Sequence, residues 1–160
     1  MSAAIAMQFH LRHDASPTTN SPQDKSKMNI TAPVTALTAI VLVPVFIHLA
    51  LNVIKKRHTH RVAIGAGEHA DLETAIRAHG NFSEYVPFAL MLMLCAEVNG
   101  SPVWLVGLVA LALVAGRLIH AAAIPSGNLP NRVRAMKLTF AALGLGAVAN
   151  LLPLVLQIVK

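Results

Sequence analysis

The stretch DLETAIRAHGNFSEYVPFALMLMLCA, residues 71–96, decides the fold. Its uninterrupted apolar part, 86–96, is only 11 residues long, whereas a helix needs about 20 to cross the hydrocarbon of a bilayer. Directly after it, Asn99-Gly100-Ser101-Pro102 reads as a tight turn into another apolar block. Two helices joined by so short a link run antiparallel, so the segment before the turn must cross if the segment after it does. It reaches spanning length only by extending backward through Ser83, Asn81 and His79 to a start near Asp71. The polar half of this helix is therefore at or inside the membrane.

Three further apolar blocks surround it. One runs from 33 to 54, interrupted by Pro44, His48 and Asn52; one from 103 past Arg117 to 124; and one from 138 to 159, with Asn150 and Pro153 inside. Each is long enough to span. The 160 residues are 55% hydrophobic and only 12% charged, with a mean hydropathy of +0.60, about half the charge of a soluble domain. Disorder is excluded by the same figures. A net charge of +6 does not indicate nucleic acid, because the basic residues are few and flank apolar blocks. One cysteine excludes a disulfide framework and a cysteine zinc site. His48 and Asn52 are spaced i, i+4 but lack third and fourth ligands, so no metal is expected. The predicted fold is an all-α integral membrane protein, an antiparallel four-helix transmembrane bundle spanning 33–160.

Residues 1–32 are polar, have no helical or strand period, and read as a flexible tail rather than a signal peptide. Met28 is the candidate initiator, which would leave 1–27 outside the protein. Nine of the 13 lysines and arginines fall around the first and third loops. By the positive-inside rule those loops are cytoplasmic and both termini lie on the other side. Trp104, just after the tight turn, fits an interfacial anchor. The pairs Ala112/Gly116 and Ala142/Gly146 have the small-xxx-small spacing of closely packed membrane helices.

In the second helix Glu73, Arg77, Asn81 and Glu84 follow one another at steps of four, four and three, within about 80° of one helix face. Beyond Glu84 the stripe turns apolar through Phe88, Met91 and Cys95. His79 points away from it, toward a structural role. Arg117 and His120, spaced i, i+3, end the third helix, and Arg132, Arg134 and Lys137 begin the fourth, all at the same end of the bundle. A charged side chain at membrane depth costs about 2.5–3.5 kcal/mol. Glu84 is too short to snorkel out and calls for a partner, most simply an arginine. One solution is a set of buried bridges among Glu73, Arg77, Glu84 and Arg117. Against it, Arg61, Arg77, Arg117, Arg132, Arg134 and Lys137 outnumber Asp71, Glu73 and Glu84 near this end. The surplus suits an anionic water-soluble ligand, with part of it serving anionic lipid headgroups.

The run Arg77-Ala-His-Gly-Asn-Phe-Ser-Glu-Tyr-Val-Pro87 resembles the helix-two signature of the MAPEG family, the membrane-associated proteins in eicosanoid and glutathione metabolism. Gly116-Arg-Leu-Ile-His120 resembles its helix-three signature, and Arg61-Val-Ala-Ile-Gly65 the loop before helix two in bacterial members. The likeness covers nearly all of the chain beyond the tail. It implies a homotrimer of four-helix protomers with glutathione as cosubstrate, bound between subunits near the cytoplasmic face. By position, Arg77, Asn81 and Glu84 match residues at or next to that site, Glu84 holding the ligand's amino group. Arg117 and His120 match positions near the ligand. Arg134 matches the arginine near the thiol, the first candidate for stabilising a thiolate, with Arg117 second.

The implied function is a glutathione S-transferase-like enzyme, a transferase or peroxidase directing an activated thiolate at apolar electrophiles. Departures from the family pattern favour an alternative, a binding or structural homologue without catalysis. Ile124 and Ala122 stand where tyrosines are common, Asn52 near a usual arginine, Thr74 where Glu-Arg is common, and Ala135 in place of Gly or Ser. A small transporter subunit is the third reading, disfavoured because the polar stripe does not continue across the membrane. His58 and His60 are expected to be solvated, and Cys95 to be an inert small hydrophobe.

Overall fold

A computed structural model describes residues 30–124 and 127–159. Met28 and almost all of the N-terminal tail lie outside the described residues. Four helices follow in order: α1 (Pro33–His60), α2 (Ala70–Val98), α3 (Val103–Ala123) and α4 (Leu129–Ile158). They pack as an antiparallel bundle in which α2 and α3 touch each other and both flanking helices, while α1 and α4 sit on opposite sides of that pair. Among the described residues, α1, α3 and α4 are each long and apolar enough to cross a membrane.

The second helix behaves as the short turn demands. It is a single 29-residue helix, about 43 Å long at 1.5 Å per residue. Its last turn is tied to the link by Ser101 N–H donating to Ala96 O at 2.9 Å, and Gly100 takes a left-handed φ of +80° that costs glycine nothing. From that turn the 21 residues of α3 cover about 30 Å, the thickness of the hydrocarbon. Glu84, midway along α2, lies about 20 Å from the turn and so within that layer. Asp71, about 40 Å away, projects beyond it.

Two helices are longer at the loop end than the apolar blocks indicated. The helix α1 continues past Ile54 through Lys55–Arg57 to His60, and α4 starts at Leu129, nine residues before its apolar block. Helical backbone satisfies its own hydrogen bonds on either side of the membrane boundary, so hydropathy marks the boundary and not the helix end. His60 is not simply solvated. It donates from Nε2 to Asp71 Oδ1 at 2.9 Å, stacks on His69 at 3.9 Å, and shares Asp71 with Lys56 Nζ at 2.7 Å.

The core is a seam of Leu42, Leu49, Phe82, Val86, Met93, Val106, Val109 and Leu113, with alanines at the closest approaches. Lipid tails are as apolar as leucine, so close packing and polar contacts hold the helices together rather than exclusion from water. Gly116 marks one such approach: a methyl there would sit 3.0 Å from Ala135 O and 3.1 Å from Thr139 Oγ1. Gly146 similarly seats Leu92 of α2.

Polar side chains tie down the end opposite the α1–α2 and α3–α4 loops. Ala32 offers α1 no side-chain cap. The cap comes instead from Glu97 near the end of α2, whose carboxylate accepts from Val34 N at 2.8 Å, Thr35 N at 2.9 Å and Thr35 Oγ1 at 2.8 Å. Pro153 inside α4 has no N–H for Ala149 O, and that carbonyl accepts from the Ser101 hydroxyl. Asn150 donates across to Leu92 O at 2.9 Å.

Two outcomes follow from these ties. Glu97→Ala is expected to destabilise the bundle by about 2 kcal/mol and to speed amide exchange at Val34 and Thr35 ahead of the rest of α1; unchanged exchange there would mean the cap is not used. Hydrogen bonds from Lys56 and then His60 hold the Asp71 carboxyl well below the usual carboxylate range. A folded pKa below the unfolded one gives stabilisation that is complete above about pH 4 and is lost as pH falls through the folded value. Asp71→Asn should therefore raise amide exchange in the 62–69 loop at neutral pH, while the unaltered loop stays protected down to about pH 4.

Candidate functional site

The loop end of the bundle carries a concavity of about 460 Å³ lined by Ile76, Arg77, Gly80, Asn81, Glu84, His120 and Arg132. All four residues expected to bind a ligand, Arg77, Asn81 and Glu84 of α2 and His120 of α3, thus line one place, joined by Arg132 of α4. A second hollow of similar volume shares Asn81, His120 and Arg132 and continues along α4 past Met136, Lys137 and Phe140. Phe140 meets Tyr85 of α2 edge-on at 5.7 Å, closing the gap between α2 and α4 below the polar part.

Beneath the concavity lies Arg117, only 1% exposed. Its Nη1 donates to Asn81 Oδ1 at 2.9 Å, and its Nη2 donates to the Thr139 hydroxyl and, at 3.7 Å, to Met136 Sδ. Thr139 Oγ1 in turn donates to Ala135 O at 3.0 Å. Glycine at 116 is what lets α4 come close enough for Thr139 to serve. Asn81 gives its oxygen to Arg117, which leaves the amide hydrogens as the donors available to the concavity. Arg117 therefore orients Asn81 from below. Its expected place as a second thiolate-stabilising cation would therefore be exercised from beneath the concavity, by charge rather than by direct contact.

The buried-bridge solution is also not what forms. Among the described residues the ion pairs all converge on Asp71, and Glu84 has no arginine partner within the protomer. Glu73, Arg77 and Glu84 are exposed on α2, off its packed face, and Arg77 and Glu84 open onto the concavity. The reason is geometric: Leu72, Ala75, Ala78, Phe82 and Val86 occupy the inward face, and the polar stripe lies roughly opposite. Asn81, at the edge of the stripe, is the member that reaches inward.

Arg134 is exposed on α4, donates to Asn131 Oδ1 at 3.4 Å and does not line the concavity. Arg132, two residues earlier, does. Two residues on a helix are about 200° apart, so both cannot face the same hollow; the sequence located the basic cluster but not which member turns inward. His79 packs its ring against Phe46 of α1 at 5.0 Å, in keeping with a structural role off the stripe. Cys95 is exposed on α2.

Fold and site together define a multi-pass helical membrane protein with a polar, mixed-charge cavity at one end of its bundle. The MAPEG family model matches residues 35–152, and the chain belongs to that family. It is 38% identical over 118 residues to the inner membrane protein YecN of Escherichia coli K12, covering 74% of this chain and 90% of that protein. The same match is found with YecN of E. coli O6:H1.

Arg117→Lys keeps the charge but cannot reach Asn81 and Thr139 together. It is expected to lower stability in detergent by about 2–4 kcal/mol, measured as loss of the folded fraction on denaturation. A variant as stable as the parent would remove Arg117 as the organiser of the site.

Proposed function

We propose that the protein is a membrane-bound glutathione-dependent transferase or peroxidase acting on apolar electrophiles, in a bacterial inner membrane and as a homotrimer. One observation carries the reading: two guanidinium groups, Arg77 and Arg132, and one carboxylate, Glu84, line a single cavity. Glutathione has the opposite set, two carboxylates and one ammonium. Guanidinium forks suit carboxylates, a carboxylate suits an ammonium, and the Asn81 amide can meet the peptide backbone. The cavity volume falls within the range of small-molecule sites.

A free thiol has a pKa near 8.5, and a nearby cation lowers it. Arg134 turns away from its own cavity, so its proposed role as thiolate stabiliser requires the cavity of a neighbouring copy. The same assembly would cover the outward charges of α2. The thiolate then attacks the electrophilic atom of a bilayer-dissolved substrate, its electron pair forming the new sulfur bond as the leaving group departs. The apolar surface beyond Glu84 supplies the approach from the lipid side.

Glutathione titrated into the purified full-length protein tests this. Binding is expected, weakened at least about tenfold by Arg77→Ala, Arg132→Ala or Glu84→Gln, each of which removes one charge-assisted contact. No binding at millimolar thiol would overturn the reading. Thiolate absorbance that disappears in Arg134→Ala supports activation across subunits. Binding without any thiolate signal would leave the alternative, a non-catalytic binding homologue.

A further inference from the structure

At the end of α1 lies a separate hollow of about 400 Å³, lined by Ile54, Arg57, His58, Arg61, Val62 and Ala63. It shares no residue with the cavity between α2, α3 and α4. Among the described residues, none of its basic groups has a carboxylate partner: the nearby acid on α2, Asp71, is taken by Lys56 and His60. The hollow is also shaped in advance. Arg57 Nη1 donates to Ala63 O at 3.1 Å and Gly65 O at 3.0 Å, folding the loop around the guanidinium. Arg61 ends the helix in a left-handed conformation, φ 55°, which turns the chain back over it.

The approach to this hollow is apolar. Ile47, Leu51 and Ile54 are each about half exposed and, at spacings of four and three, form one ridge that leads directly to His58 on the same helix face. Ile64, at the loop tip, is 91% exposed, an unusual place for isoleucine in water but a favourable one at the headgroup and acyl boundary. The ridge runs along a membrane-spanning helix and changes from apolar to cationic where that helix leaves the hydrocarbon.

We infer that this hollow binds the phosphate of an anionic phospholipid, with Arg57, His58 and Arg61 around the headgroup and an acyl chain along Ile47, Leu51 and Ile54. Charge complementarity fixes the headgroup, and the ridge distinguishes a lipid from a free anion. The site is independent of the glutathione reading and stands or falls separately.

Native mass spectrometry of the full-length protein, mixed with phosphatidylglycerol or with phosphatidylethanolamine of the same chains, tests it. A preference for phosphatidylglycerol is expected, and Arg61→Asn should reduce it about fivefold; asparagine tolerates the left-handed backbone at that position. His58→Gln, on the exposed helix surface, is a second variant expected to weaken retention. Lys55→Gln removes a charge just outside the hollow and should change the preference less than about twofold. Inorganic phosphate at millimolar concentration should not displace the lipid. Equal retention of the two lipids would overturn the inference. So would equal effects of Arg61→Asn and Lys55→Gln, or complete displacement by phosphate alone.

Discussion

A guanidinium sealed inside a membrane helix bundle is tolerable only where every neighbour accommodates it, and Arg117 sets that condition for the loop end of this protein. It is 1% exposed and held by Asn81, Thr139 and Met136 from two other helices. Among the described residues its Nε already has no partner, so loss of Asn81 or Thr139 would add a further poorly satisfied donor to a buried cation. Gly116 is required for α4 to approach, Thr139 for its hydroxyl, and Asn81 for its oxygen. Because Asn81 also lines the cavity, the same contacts that stabilise α2, α3 and α4 fix the donors a ligand would meet. Structure and site are coupled through one amide.

The opposite end of the bundle solves a different problem. Helix termini and internal prolines leave backbone groups unpaired, and in hydrocarbon each would cost several kcal/mol. Glu97 and Ser101 supply missing partners on α1 and α4, and Asn150 of α4 adds a tie to Leu92 O of α2. That end is locked by short polar ties, while the loop end is hollowed out. A rigid base with an open, charged top is the arrangement that lets a bundle keep a polar cavity without loosening.

Much of this was legible in the sequence, and the parts that were not share a cause. The Asn99–Pro102 turn required the polar segment before it to be helical, and the steps among Arg77, Asn81 and Glu84 placed them along one stripe; the structure has one continuous α2 and brings these three to one cavity. Periodicity gives angles around one helix axis. It does not give the rotation of one helix against the next, which decides that Arg132 and not Arg134 lines the protomer's cavity. Nor does it say that Arg117 pairs with an amide rather than with Glu84. The Glu97 cap joins residues more than sixty positions apart, and no local pattern announces it. A signal was nevertheless present: a carboxylate two residues before a turn, in a helix with no nearby cation, needs donors from somewhere.

The outward stripe of α2 carries the physical argument for assembly. Glu84 sits midway along a helix that spans the hydrocarbon, exposed off the packed face of α2 at the open side of the cavity. An ionised side chain facing lipid at that depth costs about 2.5–3.5 kcal/mol, and Arg77 on the same face adds its own cost, less what its long stem recovers by snorkelling. Among the described residues neither has an ion-pair partner to offset this. Contact with a second copy would remove both penalties at once and would enclose the cavity that these residues line. A ligand carrying an ammonium and carboxylates would then complete the neutralisation. Association and ligand binding would in that case be thermodynamically linked, each strengthening the other by the same factor.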